Sequence, residues 1–120
     1  MATRDPVTTF PFETSLDVAV TTWSGLLAND DGAPVRLAVY SDRSVQVVGT
    51  FGGATLTLGG SNDGETYEAL TDTSGNPITL TAGALKQITE LPVFIKPRVF
   101  GGDGSTNIKV ILAGRKSVGV

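Results

Sequence analysis

Apolar residues recur at every second position over most of this chain. Between Asp42 and Tyr67 the pattern is clearest: Val45, Val47, Gly49 and Phe51 share one face of an extended run, with Gln46, Val48 and Thr50 on the other. Ala54, Leu56 and Leu58 then alternate with Thr55 and Thr57. A period of two marks a strand with one buried and one wet face. Gly52-Gly53 sits between the two runs, and glycine reaches the positive φ that primed two-residue turns require, so the stretch predicts a β-hairpin. Ser61-Asn62-Asp63-Gly64 predicts a turn directly after it.

The same period runs through the rest of the chain. Leu16, Val18, Val20 and Thr22 alternate with Asp17, Ala19, Thr21 and Trp23, which predicts a first strand with Trp23 in or at the edge of the core. Asn29-Asp30-Asp31-Gly32 centres a loop under which Leu26-Leu27 can pack. Further strands are predicted over Val35 to Tyr40, Tyr67 to Leu70, Ile78 to Ala82, Val93 to Phe100 and Asn107 to Ala113, with Ile108, Val110 and Leu112 inward. Ala84 to Thr89 reads equally as a helical turn or a strand. Pro97 has no N–H for a ladder, which predicts an edge position or a bulge there. About eight short strands separated by Gly, Asp and Asn turns describe an all-β, antiparallel, jelly-roll-like β-sandwich.

Residues 1–13 break the pattern and read as an extended N-terminal arm before a sandwich domain over 14–115 and a short tail over 116–120. Phe10 and Phe12 flank Pro11 in that arm. Their rings either tuck into the domain's own core or anchor on a neighbouring molecule.

The 120 residues suffice for one domain with a two-layer core. No apolar run approaches the roughly 20 residues that cross a bilayer, and no secretory leader precedes the first strand, so synthesis in the cytoplasm and no membrane partner are expected. The sequence contains no histidine and no cysteine, which removes Ser-His-Asp and Cys-His nucleophile systems and the usual zinc sites. No enzyme activity and no cofactor are expected. A net charge of −3 argues against nucleic acid as a partner. Ten acids and three bases precede Lys86, while six bases and two acids follow Leu85. That asymmetry is either ordinary surface charge or a pair of opposed docking patches that involve Lys96 and Arg98.

Other motifs fall short. Gly49, Gly52 and Gly53 lack the Gly-Lys-Ser/Thr and following helix of a phosphate loop. The acidic turns miss EF-hand spacing. Pairs such as Glu65 with Glu68, or Asp72 with Glu90, have the composition of a glycosidase site but nothing that singles them out among twelve acids. The Ser61–Tyr67 turn followed by Phe94-Ile95-Lys96-Pro97 is similar to the layout of discoidin-like carbohydrate-binding sandwiches, in which those positions are largely structural.

A closer resemblance is carried by Asp42-Arg43-Ser44-Val45-Gln46-Val47, Gly49-Thr50-Phe51-Gly52-Gly53-Ala54 and Gly60-Ser61-Asn62-Asp63-Gly64. Leu70-Thr71-Asp72, Gly75-Asn76, Ile88-Thr89-Glu90, Ile95-Lys96-Pro97-Arg98 and Gly101-Gly102-Asp103-Gly104 extend it. Over roughly Trp23 to Arg115 the chain resembles small virion structural proteins of tailed bacteriophages, most of all head decoration (cement) proteins. The resemblance implies a structural component of the particle surface, bound to the major capsid protein and bridging capsid subunits, with self-association as a trimer or dimer. Phe10, Phe12, Lys96 and Arg98 are then the candidate partner contacts. A tail or head-tail joining component, and a carbohydrate-binding or adhesive module, are the alternative expectations.

Overall fold

The computed structural model describes residues 2–11, 17–36 and 40–116. Each period-two run becomes a strand, and the turn residues separate them. In chain order these are β1 (Thr3–Arg4), β2 (Val7–Thr9), β3 (Val18–Leu26), β4 (Asp31–Gly32), β5 (Val35–Arg36), β6 (Asp42–Thr50), β7 (Thr55–Ser61), β8 (Glu68–Ala69), β9 (Thr79–Leu80), β10 (Ala84–Gln87), β11 (Phe94–Phe100) and β12 (Asn107–Arg115). No helix occurs among the described residues. The ambiguous segment from Ala84 is a strand. The predicted run from Val35 to Tyr40 is a strand at Val35–Arg36, and Leu37 to Val39 lie outside the described residues.

The strands form two sheets. One has the order β1-β4-β11-β7-β8, with β5 also on β11 and β9 also on β7; the other has the order β10-β6-β12-β3-β2. All pairings are antiparallel except β1 with β4. The sheets pack face to face as a β-sandwich. Val45, Val47, Ile108, Val110, Leu112, Trp23 and Leu26 from one sheet meet Leu56, Leu58, Ile95 and Val99 from the other, all buried.

The predicted hairpin does not form. A β-turn does close at Gly52-Gly53, with the Ala54 N–H donating to the Phe51 carbonyl at 2.9 Å. However, β6 pairs with β10 and β12, whereas β7 pairs with β8, β9 and β11. The turn therefore carries the chain from one sheet to the other, and the buried faces of β6 and β7 confront each other across the core. Alternation states which side chains point inward, and it is satisfied equally by neighbours within a sheet and by partners across a sandwich. Positive φ at Gly49 (119°), Gly52 (57°) and Gly53 (82°) gives the backbone the bend this crossing needs. The Thr106 hydroxyl, buried and donating to the Phe51 carbonyl at 2.9 Å, fixes the corner.

Pro97 also departs from expectation. Strand β11 is interior, with β7 along its whole length on one side and β4 and β5 on the other, and its register with β7 is unbroken. The Val99 N–H donates to the Asp30 carbonyl, so Pro97, two residues back, presents its nitrogen to the same side. There the neighbouring strand is interrupted between Gly32 and Val35, and no ladder donor is needed. A Cβ on Gly32 would fall 2.6 Å from Pro97 Cδ, so the proline ring occupies the space that the glycine leaves.

In β3 the inward residues are Ala19, Thr21, Trp23 and Leu26, with Val18, Val20 and Thr22 half-buried on the outer face. Gly25, at φ 68°, resets the phase after Trp23 so that Leu26 points inward while Leu27 stays 43% exposed. The N-terminal segment is extended and lies on its own domain, with β1 on β4 and β2 on β3, where β2 forms the edge of the smaller sheet. Asp30 is the clasp. Its carboxylate accepts from the Ala2 N–H (3.0 Å), Arg4 Nε (2.9 Å) and the Leu27 N–H (2.8 Å).

Candidate partner-docking face

Residues of β11 that alternate with its buried positions form the centre of the outer face of the larger sheet. They read Phe94, Lys96, Arg98 and Phe100, an aromatic–cation–cation–aromatic series two residues apart. Around them stand Asp31 from β4, directly opposite Arg98; Arg36 from β5, opposite Phe94; and Tyr67, from the segment between β7 and β8. Each cation lies over a ring: Arg36 over Phe94 (5.8 Å to the centroid), Lys96 over Tyr67 (4.6 Å) and Arg98 over Phe100 (4.8 Å). Such contacts favour an ordered cation by about 0.5–2 kcal/mol, depending on desolvation. Between Tyr67 and β11 is a cleft of about 310 Å³ lined by Glu65, Tyr67, Glu68, Lys96, Arg98 and Phe100, among others.

The position of Tyr67 is built by the turn that the sequence marked. The Ser61 hydroxyl donates to Asp63 Oδ1 at 2.7 Å, and the same oxygen accepts from the Glu65 and Thr66 N–H groups at 2.8 and 2.9 Å. The backbone bond from Glu65, the Ser61 hydroxyl and the Thr66 N–H together hold the Asp63 carboxyl down to about 2. Gly64, at φ 80°, turns beneath the ring of Phe94. The Tyr67 side chain then lies over Gly59, which pairs with Lys96 and presents no side chain of its own.

Lys96 and Arg98 differ in what remains free. The Lys96 ammonium is engaged by the Tyr67 ring and by Asp31 Oδ2 at 3.2 Å, with its side chain only 24% exposed. Arg98 is exposed and stacks on Phe100, itself 46% exposed. Arg98 with Phe100 is thus the part of the face open to a partner. A guanidinium held on a ring keeps its planar fork ordered for carboxylate acceptors.

Two buried oxygens here, Asp31 Oδ1 and the Tyr67 hydroxyl, have no hydrogen-bond partner. Burial, together with the negative charges of Asp31 and Asp63, raises the Tyr67 phenol above its ordinary value. An unpaired buried hydroxyl opposes folding, so Tyr67→Phe is expected to retain the parent's stability or gain up to about 1 kcal/mol in urea unfolding. A loss of that size would instead mean that the hydroxyl is satisfied in solution.

Of the four residues expected to contact partners, the structure brings together Lys96 and Arg98. Phe10 follows β2 on the edge of the smaller sheet and is 42% exposed, so it does not tuck into the core. Phe12 lies outside the described residues. The late-chain bases do not form one patch: Lys96 and Arg98 belong to β11 in one sheet, Lys109 and Arg115 to β12 in the other, and Lys86 faces Asp72 at 3.8 Å. Trp23, expected in or at the edge of the core, is fully buried and donates from Nε1 to the Ala33 carbonyl at 2.9 Å, so it offers no face to a sugar. The carboxylates suggested as a pair at Asp72 and Glu90 are each engaged by backbone N–H groups. Asp72 accepts from the Ser74 and Asn76 N–H groups, and Glu90 from the Thr71 N–H. Asp31, Phe94 and Phe100 were not among the residues expected to contact a partner. For the two rings the signal was the period-two spacing through Phe94, Lys96, Arg98 and Phe100; no local pattern links Asp31 to them.

No family model matches this chain, and no curated protein matches it in sequence. Among solved structures, the SPBc2 prophage-derived protein YomS is similar at a TM-score of 0.61 and 11% identity, covering 81% of this chain and 95% of that one. Hydroxypropylphosphonic acid epoxidase from S. wedmorenis is similar at 0.47 and 11% identity, and the chain spans 49% of its length. The Cnp3 cupin domain of Schizosaccharomyces pombe is similar at 0.44 and 8% identity, over 60% of its length. With YomS the chain shares its fold.

Proposed function

We propose that this protein is a non-enzymatic structural component of a bacteriophage particle, a head decoration (cement) protein that binds the assembled shell and bridges neighbouring capsid subunits. The observation that carries this reading is the fold shared with a prophage-derived protein over nearly that protein's whole length. The sequence resemblance from Trp23 to Arg115 points the same way. The role asks for a rigid body with a preformed contact surface, and the sandwich supplies one in the outer face of β11.

In this reading the Arg98–Phe100 pair docks on acidic groups of the major capsid protein, with Lys96, Tyr67 and Asp31 as its rigid support. Modest contacts suffice, because many copies bound to a symmetric lattice reinforce each other. The carbohydrate alternative is weakened by the rings themselves: the cations lie over Tyr67 and Phe100, on the faces a sugar would use.

The test is binding of purified protein to heads assembled without it. Arg98→Glu is expected to weaken binding about 10- to 100-fold, the loss of one charge-assisted contact. Rising salt should weaken the parent in the same direction. Full affinity in Arg98→Glu heads-binding assays would remove this face from the contact.

A further inference from the structure

We infer that the outer face of the smaller sheet is a two-fold interface between copies of this chain. This goes beyond the proposed shell contact, which uses the opposite sheet, and it holds or fails with no particle present.

The outward positions of that sheet are short of charge and rich in exposed apolar groups. Leu85 on β10 is 67% exposed, Val7 on β2 65% and Val48 on β6 39%. Val18, Val20, Ile111 and Ala113 lie between them, half-buried, among Ser, Thr and Gln side chains. The charges sit near the ends of the two central strands, with Lys109 toward one end and Asp42 opposite Arg115 at the other. The face across β11, in contrast, is lined with cations and carboxylates. Three nine-residue strands with two short edges give a footprint of about 600 Å² a copy at ordinary strand spacing and rise. That is the lower end of what each partner buries in a specific complex, which sets the expectation of a concentration-dependent dimer.

The register selects a second copy as the occupant. Leu85 pairs with Gln46, Gln46 with Ile111 and Ile111 with Thr22, and Thr22 pairs with Val7. This row crosses the sheet at the midpoints of β6 and β12, with large apolar side chains at both ends and in the centre. A two-fold axis along the row lays Leu85 on Leu85, Ile111 on Ile111 and Val7 on Val7. It also turns the Val48 and Lys109 end of one copy onto the other end of its mate. There a shallow hollow of about 200 Å³ is lined by Val18, Asp42, Ser44, Gln87 and Ala113, among others. Val48 meets the hollow, and Lys109 comes toward the second copy's Asp42 and Arg115, a pair of opposite charges with no net charge between them. An axis along the strands would instead stack Lys109 on Lys109. Charge and shape both favour the first arrangement.

Sedimentation equilibrium of the full chain over a rising concentration series tests this. The parent is expected to move from 12.4 kDa toward twice that mass. Leu85→Glu and Leu85→Lys are each expected to remain monomeric with unchanged circular dichroism, because each places like charges against each other across the axis. An equimolar mixture of the two should regain the dimer. Arg98→Glu, on the other sheet, should dimerise as the parent does. A parent that stays monomeric, a parent that forms a trimer, or a mixture that fails to associate overturns the inference.

Discussion

Gly49→Ala is expected to lose about 3 kcal/mol in urea unfolding, through two separate penalties. Gly49 sits at φ 119°, a region that residues with a Cβ rarely enter. An added Cβ would also fall 2.3 Å from the Asn107 carbonyl oxygen and 3.1 Å from Ile108 Cα. Both obstacles are backbone of β12, the partner strand, so relief requires the central β6–β12 pair to separate next to the register shift between Ile108 and Val110. Gly53→Ala is the matched control. It carries positive φ (82°) with nothing within 4 Å of the new methyl, and is expected to lose only about 1 kcal/mol. Equal losses at the two positions would show that conformational strain, rather than contact with β12, governs the corner.

Asp30→Ala is expected to cost a similar amount, about 3 kcal/mol, and to free β1. Asp30 is buried, and its carboxylate serves two backbone N–H groups and the Arg4 guanidinium at once. Its loss strands the Leu27 N–H and removes the pair that brings Arg4 to the sheet. The bonds that follow, Asp31 N–H to the Ala2 carbonyl and Ala33 N–H to the Arg4 carbonyl, should then exchange rapidly with deuterium. Burial alone would raise the Asp30 pKa, but the bonds from Leu27, Arg4 and Ala2 outweigh it and hold the group below its ordinary value. A depressed folded value means the stabilisation is complete above the unfolded carboxylate's pKa, about 3.9, and is lost as pH falls through the lower folded value. The parent should therefore weaken on acidification across that window, while Asp30→Ala, already lacking the term, should change less there. Unaltered exchange at Asp31 and Ala33 in the variant would mean that β1 is held by its backbone pairing alone.

The strands and their inward residues were legible because alternation is a one-dimensional signal. Val45, Val47, Leu56, Leu58, Ile108, Val110 and Leu112 are all buried where the period placed them. Pairing is not one-dimensional. The same spacing that fixed the inward faces of β6 and β7 left open whether the strands lie side by side or across the core, and the glycine turn between them serves both geometries. Pro97 misled for a related reason: its missing donor needs only a local gap, which the interruption between β4 and β5 provides inside the sheet. Of the candidate site, Lys96 and Arg98 could be placed on one face by their spacing alone. Their support could not, since Asp31 reaches Lys96 from 65 residues away and Tyr67 reaches it through a turn held by Asp63.

The proposed role as a coat on the phage head is decided by the protein's stoichiometry in purified particles, with heads and tails separated. Many copies on heads, in fixed proportion to the major capsid protein, and none on tails are expected. Presence on tails alone, or only the few copies of a single ring, would contradict it and assign the sandwich to the tail or to the head-tail joint.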